Sequence, residues 1–349
     1  MLIASMDVIA RRSRASVAEF VDDGAFLTLA GLVPASVHLK LEGLNLAGSI
    51  KLKTALGLLE SLDEQGLINQ DTVLIESSSG NLGVALSMVC ASRGLRFTCV
   101  VDPNTSAHNK KIMAAYGATI VMVEQKDANG GYLGTRIAYV QDCLARDARY
   151  VWLNQYSNPA NAAIHRRLTA ASIANAFPEI DYLFVGAGTT GTLMGCVDYF
   201  RAYRPATRIV AVDSIGSVTF GQPASKRYLP GLGSSRMPPI FKADGIFAME
   251  QIPEAHTIAM CRHLARTRGL LVGASTGTVL AGLFGWRERI ARGATVVAIS
   301  PDFGERYLDT VYDDDWVRER FGAVPLDGDI SQIPSFHSSV GSFVEELRQ

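Results

Sequence analysis

The chain has 349 residues, of which 48% are hydrophobic, and its formal net charge is −1. This length is enough for two hydrophobic cores. A net charge near zero argues against broad binding to nucleic acid or to an anionic membrane. We therefore expect the partners to be small molecules that are recognised locally.

Export, membrane insertion and zinc binding are not indicated by the sequence. The apolar N-terminal residues precede the basic run Arg11–Arg14, which is the reverse of a secretory signal. No apolar run is long enough to cross a bilayer. The five cysteines and six histidines lack zinc-ligand spacing, and dispersed cysteines are typical of free thiols in a reducing compartment. We expect a cytoplasmic protein without a metal site.

From about residue 51, short apolar segments rich in β-branched residues alternate with segments of helical periodicity. Strands are predicted over Thr72–Glu76, Phe97–Val101, Thr119–Val123, Tyr150–Leu153, Tyr182–Val185, Arg208–Val212 and Thr295–Ile299. Helices are predicted over Lys51–Glu64, Leu82–Arg93, His108–Tyr116, Tyr132–Ala145, Ala160–Phe177 and Leu193–Tyr203. This alternation predicts an α/β fold with parallel sheets that are covered on both faces and bind ligands beyond the carboxyl ends of their strands.

A polar segment near Asn154 interrupts the pattern and predicts a boundary between two α/β units. We predict a smaller unit over residues 40–155 and a larger unit formed by residues 1–39 and 156–325. The segment Gly216–Gly245 is rich in Gly, Pro and Ser, and a loop of that length is typically functional or mobile. Residues 326–349 are predicted to form a weakly ordered tail.

The first candidate functional residue is Lys51, which follows the small turn Gly48-Ser49 at the start of a predicted helix. A lysine that forms a Schiff base must lose its proton, and burial or a nearby cation promotes that loss. Lys53 is close enough in principle to disfavour a second ammonium charge. Lys51 is therefore a candidate for holding an aldehyde cofactor; a pair of surface lysines in a first helical turn is the alternative.

The second candidate segment, Ser77–Asn81, connects a predicted strand to a predicted helix. Backbone N–H groups at such a helix start can bind a carboxylate, and the serine hydroxyls add donors. The amide of Asn81 could donate a hydrogen bond to a phenolate oxygen on a pyridine ring. An ordinary strand–turn–helix connection with an N-cap is the alternative.

The third segment, Gly186–Thr192, contains the pattern G-x-G-x-x-G in Gly186, Gly188 and Gly191, after a predicted strand. Asp213 ends the next predicted strand, where a ribose-binding acid is expected. This spacing would suit an NAD-dependent oxidoreductase, which is the alternative from another class of enzyme.

The same segment also suits a terminal phosphate. Thr189, Thr190 and Thr192 surround the loop with hydroxyls, which fits a phosphate monoester better than a dinucleotide. The pattern lies in the middle of the chain, after several βα units, and a dinucleotide leaves the segments around Lys51 and Asn81 unexplained. We therefore favour phosphate binding.

The fourth segment, Val272–Thr278, is a small-residue loop between an apolar predicted strand and a helix. The hydroxyl of Ser275 could hydrogen-bond a pyridine nitrogen without requiring that nitrogen to be charged, which favours β-elimination over transamination. A helix N-cap serine is the alternative. Together the four segments can hold the carbonyl, ring, phosphate and ring nitrogen of pyridoxal phosphate.

In this order the four segments resemble the cysteine synthase group of fold-type II pyridoxal-phosphate enzymes, over residues 38 to 312. The resemblance implies two three-layer doubly wound α/β domains of the tryptophan synthase β-like class, a pyridoxal phosphate cofactor and a homodimer. It implies that Lys51 carries the cofactor, that Asn81 contacts the ring oxygen and that Ser275 faces the ring nitrogen. The phosphate-binding residues by this resemblance are Gly188, Thr189, Thr190, Gly191 and Thr192.

A narrower resemblance points to the diaminopropionate-pathway group of this family, which serves siderophore and antibiotic biosynthesis. It rests on ESSSGNLGVAL, TCVVDP, DANGGYLGTR, AVDSIGSVTFG, LPGLGSSR and PDFGERYLD, which begin at Glu76, Thr98, Asp127, Ala211, Leu229 and Pro301. Members of this group replace the β-phosphate of O-phospho-L-serine with the amino group of L-glutamate.

The resemblance also implies a set of substrate-binding residues. The substrate carboxylate loop corresponds to Ser78, Ser79, Asn81 and Gln155. Arg136 and Tyr156 are implied to recognise phosphoserine, and an arginine fork does suit a phosphate dianion. Arg236 is a candidate for a carboxylate of glutamate, with a surface arginine as the alternative.

Three points stay open from the sequence. Cysteine synthesis from O-acetyl- or O-phospho-L-serine and sulfide is the alternative within the family, although Leu82 stands where cysteine synthases have threonine. Lys51 is followed by Leu52-Lys53 where the family usually has Asp-Arg, so the ion pairing around Lys51 is undetermined. A non-enzymatic, partner-binding scaffold is disfavoured by the intact lysine and phosphate loop.

Overall fold

The computed structural model describes residues 16–17, 20–127, 130–322 and 327–336. Its described strands form a four-stranded and a six-stranded sheet. The small sheet is entirely parallel, in the order β5-β4-β3-β6. Its strands are β3 (Val73–Ser77), β4 (Arg96–Val101), β5 (Thr119–Met122) and β6 (Tyr150–Trp152).

The large sheet has the order β1-β2-β10-β7-β8-β9. Its strands are β1 (Phe26–Thr28), β2 (Ser36–Leu41), β7 (Tyr182–Gly186), β8 (Arg208–Ser214), β9 (Ala248–Ile252) and β10 (Thr295–Ser300). Only the pairing of β1 with β2 is antiparallel among these strands. The predicted α/β fold with parallel sheets is therefore confirmed.

Helices connect the strands and cover the sheets. They are α1 (Lys51–Glu64), α2 (Asn81–Ser92), α3 (Ala107–Ala115), α4 (Leu133–Arg146), α5 (Ala160–His165), α6 (Ala171–Ala176), α7 (Gly191–Tyr203), α8 (Glu254–Arg268), α9 (Ala274–Gly285) and α10 (Asp314–Phe321). A π-helical turn, Arg166–Ala170, separates α5 from α6, so the predicted continuous helix over residues 160–177 is interrupted. A 3₁₀ turn spans Gly304–Tyr307.

Alternating side chains of the large sheet pack into two different apolar clusters. Phe184 packs with the cluster that includes α9, whereas its neighbours Leu183 and Val185 pack with the cluster that includes α7. Successive residues of a strand point to opposite faces, so this sheet is buried on both sides. A third cluster, around Leu74 and Leu86, packs against the small sheet.

The predicted strands are present, with ends that differ by one or two residues. Strands β1, β2 and β9 and helices α8 and α10 were not predicted. Polar residues inside these strands hide the apolar pattern: β2 contains Lys40, and β9 contains Glu250 and Gln251. Lys40 is nevertheless buried, because its amine donates to the carbonyl of Asp23 and the hydroxyl of Ser172.

The strands of the small sheet lie within residues 73–152, and those of the large sheet lie on either side in the chain. The boundaries at residues 40 and 155 stay predictions; β2, which ends at Leu41, crosses the first of them. A weakly ordered tail is the wrong description for residues 327–336. Ile333 is 1% exposed and packs in the apolar cluster that includes α9. The amide of Phe336 donates to the carbonyl of Gly285 at 2.8 Å. Residues 337–349 lie outside the described residues.

The parallel strands direct the candidate segments to the carboxyl ends of the two sheets. Ser78–Asn81 follows β3, the glycine-rich segment follows β7, and Asp302 follows β10. Within the described ranges, no helix is long and apolar enough to cross a membrane.

Candidate active site

Lys51 is the first residue of α1 and follows a left-handed turn at Gly48 (φ 68°). The amide of Ile50 donates to the carbonyl of Pro301 at 2.8 Å, which ties this turn to the end of β10. Burial lowers the pKa of Lys51 from 10.5 to about 8, although the nearby Asp302 carboxylate acts in the opposite direction. A lysine in this environment can act as a nucleophile and as a base.

The residues after Lys51 have structural roles. Leu52 is fully buried in the apolar cluster around Leu74 and Leu86. Lys53 is 1% exposed, and its amine donates to Glu42 Oε1 at 2.8 Å and to the carboxylate of Asp23. Two acids therefore compensate the charge of Lys53, and burial rather than Lys53 is the main cause of the shift at Lys51. The proposed electrostatic help from Lys53 was wrong in this respect.

Asn81 opens α2 and lies against the loop after β10. Its Nδ2 donates to Asp302 Oδ2 at 2.7 Å, and its Oδ1 accepts a hydrogen bond from Arg306 Nη1. The hydroxyl of Tyr307 also donates to Asp302 Oδ2, at 2.7 Å. Sequence reasoning missed Asp302 and Arg306 as site residues; the position of Asp302 directly after an apolar strand was the available signal.

The loop after β7 has features of a phosphate-binding site. Thr190 adopts a left-handed conformation (φ 66°), and its buried Oγ1 has no hydrogen-bond partner among the described residues. Thr189 Oγ1 accepts from Asn161 Nδ2 at 3.0 Å, and Thr192 Oγ1 lies 3.3 Å from His165 Nε2. The N-terminus of α7 at Gly191 adds backbone N–H groups that favour an anion.

Glycines allow the segment around Gly231 to pack closely against both this loop and Ser275. A Cβ atom at Gly188 would lie 2.8 Å from the carbonyl oxygen of Gly231, and one at Gly231 would lie 2.3 Å from Ser275 Oγ. Ser275 lies in the first turn of α9. The apolar strand predicted before it is not formed, since Val272 makes only an isolated bridge with Phe303.

The residues present fit pyridoxal phosphate. The unpartnered hydroxyl of Thr190 and the start of α7 suit its phosphate. Asn81 and Ser275 offer groups for the ring oxygen and nitrogen, and Lys51 offers an amine of lowered pKa. Their assignment as cofactor contacts remains a proposal.

The dinucleotide alternative is wrong. Asp213 is fully buried, and its Oδ1 accepts from the backbone amide of Ser214 at 2.7 Å. Burial raises the pKa of Asp213 to about 6. Asp213 is therefore a buried carboxylic acid held by the backbone of its own strand, and its spacing from the glycines does not by itself indicate a dinucleotide site.

The candidate carboxylate loop is built by short polar contacts. Ser78 Oγ accepts from the amide of Gly83 at 3.0 Å, which leaves its hydroxyl proton free to donate. Ser79 follows on the same loop and is half-buried. Gln155 Nε2 donates to the carbonyl of Ser77 at 3.0 Å, so Gln155 lies beside this loop.

Arg136 lies in α4 and is 7% exposed. Its Nε is 3.3 Å from Asp102 Oδ2, yet neither Nε nor Nη1 has a hydrogen-bond partner among the described residues. The pKa of the half-buried Tyr156 is raised by desolvation, and the nearby Arg136 guanidinium partly offsets that rise. Arg136 and Tyr156 therefore lie near each other, and their role in phosphoserine recognition stays a prediction.

Arg236 is exposed, whereas Arg227, in the same loop (residues 216–245), is half-buried. Arg227 Nη1 donates to the carbonyl of Ser234 at 3.3 Å, and a Cβ at Gly233 would lie 2.2 Å from Nη1. Burial lowers the pKa of Arg227, and the charges of Asp213, Glu254 and Tyr156 act against that shift. No periodic pattern in this segment of the sequence could have singled out Arg227.

The fold and site define a fold-type II pyridoxal-phosphate enzyme. The sequence model named "Pyridoxal-phosphate dependent enzyme" matches residues 26–302, and the chain belongs to this family. Pyridoxal phosphate is the cofactor of the family, and the predicted class of enzyme and cofactor are thereby confirmed.

Individual proteins of known name are also similar to this chain. The chain is 43% identical to N-(2-amino-2-carboxyethyl)-L-glutamate synthase of Ralstonia nicotianae, over 87% of this chain and 90% of that protein. It is 30% identical to a solved O-ureido-L-serine synthase, with a TM-score of 0.80 over 86% of this chain and 96% of the other. Cysteine synthase of Entamoeba histolytica shares the fold at 24% identity, with a TM-score of 0.83 over 94% and 97% of the two chains.

Proposed function

We propose that this enzyme replaces the phosphate of O-phospho-L-serine with the amino group of L-glutamate and forms N-(2-amino-2-carboxyethyl)-L-glutamate. The observation that carries the proposal is Arg136, a buried arginine beside Tyr156 with guanidinium N–H groups that have no hydrogen-bond partner among the described residues. A phosphate dianion would supply the missing acceptors. The 43% identical relative supports the same substrates.

When bound, pyridoxal phosphate withdraws electrons from the α-carbon of an amino acid and makes its α-proton acidic. Lys51 can remove that proton and return it, because its amine has a pKa of about 8 and lies beside Asp302. Ser78 and Ser79, with the N–H groups that begin α2, would hold the α-carboxylate of the substrate.

Arg136 and Tyr156 would bind the phosphate and stabilise it as it leaves. The bond between the β-carbon and the phosphate oxygen breaks, and that carbon then forms a bond to the nitrogen of glutamate. The nitrogen gives up a proton, so inorganic phosphate and the new secondary amine are the products. Burial of Arg136 strengthens its interaction with the departing anion, because water is excluded from the site.

Glutamate brings further carboxylates into the cleft, and Arg227 is better placed than Arg236 to bind one. Arg227 is half-buried against Gly233, whose amide donates to the carbonyl of Ala187 in the phosphate loop at 2.9 Å. Arg236 is exposed and contacts Ser234 only through its backbone. We therefore assign the glutamate carboxylate to Arg227 in place of Arg236.

The enzyme is further proposed to act as a cytoplasmic homodimer. A bridge between Val21 and Asn45 brings Phe20 close to Leu44 and Leu46, and these three side chains are 45–50% exposed. Adjacent exposed apolar side chains typically mark an interface. Light scattering of the wild type and of Leu46→Asp tests the dimer; a wild-type monomer would contradict it.

The proposed reaction is tested by mixing holoenzyme with O-phospho-L-serine, with and without L-glutamate, and identifying the product by mass spectrometry. Phosphate release that requires glutamate, together with the mass of the predicted amine, is the expected result. Sulfide-dependent release that ignores glutamate would identify a cysteine synthase instead. O-acetyl-L-serine is the matched control, since it lacks the dianion that Arg136 is proposed to bind.

A further inference from the structure

The amide of Asn81 is held from both ends by residues of the loop after β10. Asp302 Oδ2 accepts from Asn81 Nδ2 at 2.7 Å, and Arg306 Nη1 donates to Asn81 Oδ1. Asn81 belongs to the small-sheet side of the structure, whereas Asp302 and Arg306 follow the last strand of the large sheet. These contacts join the two sheets directly at the cofactor site.

Chemistry allows only one orientation of the amide here. A guanidinium can only donate hydrogen bonds, so Arg306 requires the oxygen of Asn81 on its side. An ionised carboxylate can only accept, so Asp302 requires the nitrogen of Asn81 on the other side. A flipped amide would place its nitrogen opposite the Arg306 guanidinium and its oxygen opposite the Asp302 carboxylate, so neither hydrogen bond could form. The second N–H of Asn81 is thereby left for another acceptor.

Other contacts fix the two partners of Asn81. Arg306 Nη2 donates to the carbonyl of Ala47 at 2.7 Å, just before the turn that leads to Lys51. The hydroxyl of Tyr307 donates to Asp302 at 2.7 Å. A Cβ atom at Gly273 would lie 1.9 Å from Asp302 Oδ1, so the carboxylate lies directly against the backbone there. Asp302 and Tyr307 are buried, and both atoms of the Asn81 amide group have a defined partner.

We propose that Asp302 and Arg306 are positioning residues that set the amide orientation of Asn81 and so keep one of its N–H groups for the ring oxygen of the cofactor. This inference rests on the cofactor site assigned above, and it does not depend on which nucleophile the enzyme uses. It assigns a role in the cofactor site to two residues that need not touch the cofactor.

Two substitutions of Asp302 separate orientation from charge. In Asp302→Asn, the new amide oxygen can occupy the place of Oδ2 and accept from both Asn81 and Tyr307, so the orientation of Asn81 is kept although the charge is lost. Asp302→Ala removes the acceptor altogether. We expect the alanine variant to bind pyridoxal phosphate about 10- to 100-fold more weakly, as for the loss of a hydrogen bond to a charged group, and the asparagine variant to stay within about threefold of the wild type.

The measurements use the cofactor alone. Equilibrium dialysis of each holoenzyme gives the dissociation constant of pyridoxal phosphate. The ratio of the visible to the near-ultraviolet absorption band reports whether the ring oxygen is hydrogen-bonded as an anion, and we expect that ratio to fall in Asp302→Ala. Because neither readout uses substrate, its outcome is separate from the test of the proposed reaction.

Two substitutions of Arg306 provide an independent test. Arg306→Lys keeps a donor-only cation and is expected to retain the spectrum, whereas Arg306→Met is expected to lose the visible band in the same way as Asp302→Ala. Tyr312→Phe is the control for general disturbance, because the hydroxyl of Tyr312 contacts the backbone of Val272 and the thiol of Cys261 in the neighbouring segment. If Asp302→Ala does not fold, the Arg306 pair decides the question.

The proposal is overturned by either of two results. One is an unchanged spectrum and cofactor affinity in Asp302→Ala or Arg306→Met. The other is an asparagine variant that falls as far as the alanine variant, which would show that the charge of Asp302 matters and the orientation of Asn81 does not.

Discussion

The lowered pKa of Lys51 predicts how fast the cofactor-free protein captures pyridoxal phosphate. Only the neutral amine attacks the aldehyde of the cofactor, so the rate is expected to rise with pH and to level off above about 8. With that pKa about one amine in ten is neutral at neutral pH, against about one in three thousand for an ordinary lysine. At neutral pH Lys51 should therefore react up to about 300-fold faster than a lysine of ordinary pKa, since an amine of lower pKa is also a weaker nucleophile.

Stopped-flow absorbance of the cofactor-free protein mixed with excess pyridoxal phosphate, across neutral and alkaline pH, measures this midpoint. N-α-acetyl-lysine is the reference amine, and Lys51→Ala shows which signal belongs to Lys51. The carboxylate of Asp302 raises the pKa of Lys51, so Asp302→Asn is expected to move the midpoint to lower pH. A midpoint near the ordinary value of 10.5 would refute the argument from burial.

Three further substitutions test the site. Arg136→Lys is expected to raise the KM for O-phospho-L-serine roughly 10- to 100-fold, since a lysine cannot reproduce the guanidinium fork; an equal KM would exclude phosphate binding there. Arg227→Gln should raise the KM for glutamate and not that for O-phospho-L-serine, and Arg236→Gln is the matched control; equal effects would contradict the assignment. Gly191→Ala would place a Cβ 2.2 Å from Asn161 Oδ1 and is expected to weaken cofactor binding about tenfold or more, measured by dialysis.

Local patterns in the sequence were sufficient for most of the fold. Strands such as β7 are continuous apolar runs, and helices such as α1 begin at the residue where their periodicity begins. The patterns failed where tertiary contacts compensate a polar residue. Lys40 lies inside β2 and is buried, because acceptors from Asp23 and Ser172 reach its amine from other parts of the chain.

Some residues of the candidate site could be predicted from local sequence patterns, and others could not. Lys51, Asn81 and the glycine-rich loop could be found because each lies in a short motif at a strand-to-helix junction, where parallel sheets bind their ligands. Arg227 could not be found in this way, because it lies in a segment without periodicity. Its proposed role in binding glutamate depends on its packing against Gly233 in the folded chain. Asp213 fits a dinucleotide motif by spacing alone, and its burial and the match of the chain to the pyridoxal-phosphate family argue against that role.

The sequence by itself determined the class of enzyme, because the chemistry of the cofactor requires a lysine, an amide and a phosphate loop, and each is encoded by neighbouring residues. The tertiary structure decided what surrounds them. Lys53 is compensated by Glu42, and Asn81 meets Asp302 and Arg306 from more than two hundred residues away. The orientation of a side chain and the pKa of an amine depend on such distant neighbours, since burial and hydrogen bonding are set by what the folded chain brings into contact.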